Sequence, residues 1–107
     1  MREYLAPHHR DHASTGCPSA ALLDEIGRCD DAVRDSYTEG MQSIVDVIAA
    51  HLSPHDPSAA RTRAVGLFTV LVATLHLARA VSDRKLSDDI LESGIRTAQI
   101  LLDCGEL

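Results

Sequence analysis

One stretch constrains this chain more than any other: the run from Ala64 to Val81, AVGLFTVLVATLHLARAV, is apolar on nearly every helical face. Eighteen such residues are the minimum length for a membrane span. His76 and Arg79 sit inside the run, no aromatic or basic belt flanks it, and burying an arginine in lipid costs about 2.5–3.5 kcal/mol. The expectation is a soluble helix, and one that is hydrophobic all round must be covered all round. Three further helices in a chain of 107 residues cannot easily do that. A second chain is therefore expected against the uncovered part.

The rest of the chain reads as helices with legible punctuation. Residues 1–17 read as a polar connector, with Tyr4-Leu5 closing an earlier helix and Ala6-Pro7 stopping it; the domain proper is 18–107. Pro18 is preset for a first helical position, and Leu22, Leu23 and Ile26 give that helix its apolar face. Asp30 or Asp31 can cap the next helix, in which Val33, Tyr37, Met41, Ile44 and Ile48 recur at three- and four-residue steps, widened by Val45 and Leu52. Ser53-Pro54 ends it. Asp56 and Pro57 announce the apolar helix. Ser87 is the expected cap of the last one, with Leu86 stapled on Leu91, and Gly105 as its stop. The link Ser82–Lys85 is short, so the last two helices are expected to be antiparallel neighbours. Gly94 and Ala98 lie one turn apart, as do Ala60 and Ala64. Such small residues admit a close helix crossing, within the chain or between two chains, and the uncovered apolar surface favours the second. The fold expected is all-α.

Charge and composition exclude several functions. The formal net charge is −6, Lys85 is the only lysine, and there is one Phe and no Trp. Phosphate backbones require a concentrated basic surface and single strands a stacking platform, so no direct nucleic-acid binding is expected. Cys17, Cys29 and Cys104 form no CxxC, and MREYLAPHHRDH lacks an apolar signal core; both favour a reducing cytoplasm. No nucleophile elbow, phosphate loop or HExxH is present, so catalysis is not expected. His8-His9-x-x-His12 has metal-like spacing but lies in the polar connector without a zinc signature, and no metal or other cofactor is expected. Cys17 at a helix start reads as a turn-closing residue ahead of a redox-sensing one.

In succession, YLAPHHRDHASTGCPSAALLDEIGR, AVRDSYTEGMQSIVDVIAAHL, DPSAARTRAVGLFTVLVATLHLARAVSD and LSDDILESGIRTAQILL resemble the C-terminal regulatory domain of TetR-family transcriptional regulators, in a branch with a GCP-type turn. The resemblance runs over residues 4–102 and rests on the order of segments rather than on one motif. It implies that residues 57–82 and 87–104 pair with a second copy as a four-helix intersubunit bundle, making a homodimer. Ala64, Leu67, Leu71, Leu75, Ile90, Gly94, Ile95, Ala98 and Leu101 are the seam residues expected there. It also implies a small apolar effector, for which Leu22, Ile26, Tyr37, Met41, Ile44 and Phe68 are the candidate pocket residues, with His76 as a polar contribution. The helix-turn-helix half of the family is not in this sequence. The alternative reading is a stand-alone helical small-molecule or thiol-sensing module that pairs with other regulators.

Overall fold

The computed structural model describes residues 5–11 and 18–103, and every regular element among them is helical. These are α1 (Pro7–Asp11), α2 (Pro18–Gly27), α3 (Asp31–Leu52), α4 (Arg61–Ala80), led in by a 3₁₀ turn at Pro57–Ala60, and α5 (Arg84–Asp103).

Helix α3 starts where Asp30 accepts a hydrogen bond from the Val33 amide at 3.1 Å, which satisfies one of the first-turn donors. It stops at Ser53, the residue before a proline, where the helical backbone is sterically disfavoured. Its buried line is Val45 and Ala49, with Met41, Ile48 and Leu52 packed alongside. Val33 and Ile44 point to solvent, 46% and 45% exposed, so the stripe is centred about one residue further round than the spacing from Val33 predicts.

Helix α4 begins differently from expectation. Asp56 accepts from its neighbour's hydroxyl, Ser58 Oγ at 2.7 Å, and makes no side-chain bond to a helix amide. The start is built instead from the 3₁₀ turn, in which the Ala59 amide donates to the Asp56 carbonyl. Helix α4 then serves two cores. Ala64, Phe68 and Val72 join Val45, Ala49 and Ala60 in one cluster, while Leu75 and Ala78 join Leu5, Leu91 and Ile95 in the other. Facing different neighbours along its length explains why the sequence is apolar on so many sides. Pro57–Ala80 is also long and apolar enough to cross a membrane by length and composition, with 33% of its most apolar window buried inside the fold.

Helix α5 runs back along α4. Its cap is Asp83, whose carboxylate accepts from the Leu86 amide at 3.0 Å, and not Ser87, which lies a turn inside. Ser87 Oγ donates to the Ala78 carbonyl at 2.7 Å, satisfying one of the last carbonyls of α4. Leu86 is 47% exposed and does not staple onto the buried Leu91.

At Gly94 the two helices touch. A Cβ there would overlap Thr74 Cγ2 and lie 2.8 Å from Thr74 Cβ, inside any real contact distance. The small residue thus serves a crossing within one chain. Gly66, on the same helix as Thr74, has nothing within 4 Å of its would-be Cβ. Gly94→Ala is therefore expected to destabilise by about 1–3 kcal/mol through overpacking, against a helix-propensity gain of about 1 kcal/mol. Gly66→Ala keeps only that gain. Urea midpoints moving in opposite directions are the expected result, and equal midpoints would contradict the crossing.

Part of residues 1–17, a polar stretch by sequence, packs into the fold. Pro7 opens a short helix instead of stopping one, since its fixed φ suits a first helical position. Leu5 is fully buried against α4 and α5, so this segment is part of the core.

Candidate functional site

Two surface features stand out on the α4–α5 pair. The first is an open apolar groove of about 450 Å³ on the outer face, its walls including Val70, Leu77, Leu86, Ile90 and Thr97. Leu77 is 53% exposed, and Ile100 near the end of α5 is 66% exposed. Among the described residues nothing covers this face, and Gly94 and Thr74 are part of its lining.

The second is a polar knot where α1 meets the end of α4 and the start of α5. Arg10 is buried, 5% exposed. Its Nη1 donates to Ser87 Oγ at 2.6 Å and to Asp88 at 2.7 Å, and its Nε donates to Asp11 at 3.0 Å. Arg79 Nε donates to the Arg10 carbonyl at 2.9 Å, which closes the free end of α1. The arginine that breaks the apolar run is thus bound to backbone within the fold. Arg84 donates to both Asp11 oxygens, at 3.3 and 3.0 Å. A charged guanidinium so far from water requires this density of acceptors.

Asp11 titrates below the usual carboxylate range, chiefly because Arg10 donates a hydrogen bond to its ionised form and Arg84 a second. A folded-state pKa lowered in this way adds stability above the unfolded value, and that stability is lost as pH falls through the folded one. The melting temperature is expected to drop on moving from pH 7 to below about 4, where carboxylates protonate. Asp11→Asn should flatten that drop while costing stability at neutral pH. An unchanged acid slope in the variant would show that Asp11 is not the coupled group.

The residues expected to line an effector pocket are scattered by the fold. Phe68 is buried in the α3–α4 core and Met41 packs against it. Tyr37, Ile26 and His76 are half-buried, and Ile44 is exposed on α3. Leu22 lies on α2, with its side chain outside the described residues. None of the seven lines the groove, the polar knot or the cleft between Leu5 and Ile95.

The expected seam residues are largely used within one chain. Ala64, Leu75 and Ala98 are at most 2% exposed, and Leu67, Ile95 and Gly94 are buried as well. Ile90, Leu71 and Leu101 are half-buried. Periodicity finds the apolar stripe of α4 and α5; the chain's own core takes much of it, while Ile90 and Gly94 of the expected set also line the outer groove. Beside them stand the outward residues Leu77 and Leu86, which the spacing did not select for the seam. For Leu77 the signal was available in the run itself, as a position left over once an intrachain stripe is assigned.

Cys17, His12 and Gly105 lie outside the described residues. Cys29 is exposed and free, with its thiol donating to the Glu25 carbonyl. Among the described residues no three His, Cys, Asp or Glu side chains gather as a metal site. No family model, curated protein or solved structure matches this chain.

Proposed function

We propose that this chain is the ligand-sensing and dimerisation domain of a TetR-type transcriptional regulator, acting in the cytoplasm without catalysis. The observation that carries the reading is the apolar outer groove on the antiparallel α4–α5 pair, at the position where the resemblance implies pairing with a second copy. Two such pairs, packed groove to groove, form a four-helix bundle and remove Leu77 and Leu86 from water. With α4 only partly covered by its own chain, the second copy supplies the remaining cover.

A small apolar effector, bound among α2, α3 and α4, would bias two arrangements of the dimer, and so two spacings of attached DNA-reading heads. Met41 and Phe68 are the side chains that would have to part to admit it, and the thioether of Met41 makes that rearrangement cheap. The acidic chain itself makes no DNA contact in this reading.

The coding sequence upstream of Met1 tests the regulatory assignment. An open frame encoding a basic helix-turn-helix is the expected finding. A stop codon immediately upstream would overturn it and favour a stand-alone sensing module.

A further inference from the structure

We propose that the cleft between α1, the end of α4 and the start of α5 binds a small oxyanion, the carboxylate or phosphate group of a small molecule. The cleft encloses about 310 Å³, and its charged walls are Arg10, Arg79, Arg84 and Asp11, with Ser82 and Ser87 beside them. Three of the ten basic residues of a chain with net charge −6 thus converge on one small volume whose lining holds one carboxylate, Asp11, with Asp88 a second partner of Arg10 and Asp83 the cap of the adjoining helix.

Two independent features point to an anion there. Residues Arg84 and Ser87 belong to the first turn of α5, a helix of twenty residues, and the amides of such a turn present a partial positive charge. The second feature is Arg10. Its side chain is 3% exposed, its Nε and Nη1 have their acceptors, and its Nη2 is buried with none. A buried donor without a partner costs stability, more so when it is charged, and an oxyanion in the cleft that Arg10 lines would accept from it. Arg84, 69% exposed, closes on the anion from the solvent side by trading one of its two bonds to Asp11.

This site is separate from the α4–α5 outer groove and does not depend on the regulatory reading. The groove is apolar and suits a protein face; the cleft selects by charge and by the planar fork of guanidinium donors.

The test is an NMR titration of the ¹⁵N-labelled chain with inorganic phosphate and, separately, acetate, each against sodium chloride at matched ionic strength. Saturable shifts are expected at the Nε–H of Arg10 and Arg84 and at the amides of residues 82–85, with chloride producing none. Stronger binding of phosphate assigns a phosphate ligand, and stronger binding of acetate a carboxylate. Arg84→Gln, at an exposed side chain, is expected to weaken binding at least tenfold with the melting temperature little changed. Ser82→Asp, which places a carboxylate at the exposed mouth, gives the same loss by repulsion and serves if the first variant misfolds. Absence of saturation with both anions, shifts reproduced by chloride, or binding indifferent to both variants would overturn the proposal.

Discussion

Leu75→Ala is expected to destabilise the domain by about 2–5 kcal/mol, the range for emptying a fully buried leucine site. The upper half of that range applies because the side chain has no exposed surface and its neighbours come from three separate parts of the chain. Leu5 precedes α1, Ala78 follows on α4, and Leu91 and Ile95 come from α5. Rigid elements held by their own hydrogen bonds cannot all collapse into the void. A domain of this size has a total stability of about 5–15 kcal/mol, so the variant loses a large fraction of it. The control is Val47→Ala on α3: that side chain is 59% exposed and lies away from the outer face of α4 and α5, and its loss is expected to matter by no more than about 0.5 kcal/mol. Urea unfolding of both variants reads the difference. The experiment also decides which core Leu75 belongs to. A residue of the chain's own core leaves the dissociation constant of a dimer unchanged when truncated, whereas a seam residue raises it. A loss of stability below 1 kcal/mol would contradict the packing described for α4 and α5.

The second large effect is at Arg10. Arg10→Ala is expected to cost about 2–3 kcal/mol, from charge-assisted hydrogen bonds and the packing of the aliphatic stem. Truncating one partner of a fully buried ion pair costs about 3–5 kcal/mol, since the other charge is stranded. Here the partners are not stranded. Asp88 is 52% exposed and can be hydrated, Asp11 retains Arg84, and Ser87 still donates to the Ala78 carbonyl. Arg10→Met keeps most of the stem and removes every donor, so it separates packing from polar bonding. Its cost is expected to be smaller than that of the alanine variant. Because Arg10 anchors α1, amide exchange in residues 5–11 should accelerate in both variants more than exchange in α5. If exchange there stays as slow as in the parent chain, α1 is not held by this knot.

Most of the helical architecture was legible because it rests on local chemistry. Asp30, Pro54, Pro57 and the short link after Val81 mark the ends of α3, α4 and α5 to within a few residues, since caps and prolines act through the backbone next to them. What was not legible depended on distant contacts. Ser87 has the look of a cap, but the Ala78 carbonyl and Arg10 claim its hydroxyl, which leaves capping to Asp83. Arg10 sits in a segment that is polar by composition, and nothing local announces that its guanidinium meets residues nearly eighty positions away. Leu5 escaped for the same reason. The candidate sites show the same division. Periodicity finds the apolar stripes of α4 and α5 but does not say whether Leu75 faces its own chain and Leu77 faces outward, because the two differ by only two positions on a helix that is apolar on both sides. Met41 and Phe68 have the chemistry of pocket residues and of core residues alike, and here Phe68 belongs to the α3–α4 core and Met41 packs against that core.

The proposed dimer makes the outer face of α4 and α5 a seam between two copies. Light scattering of the chain at micromolar concentration measures this most directly. A mass twice the 11.5 kDa of one chain is predicted, reverting to the single-chain value in Leu77→Glu, whose exposed position leaves the monomer's core intact. A mass of 11.5 kDa for the parent chain, persisting as the concentration is raised, would contradict it.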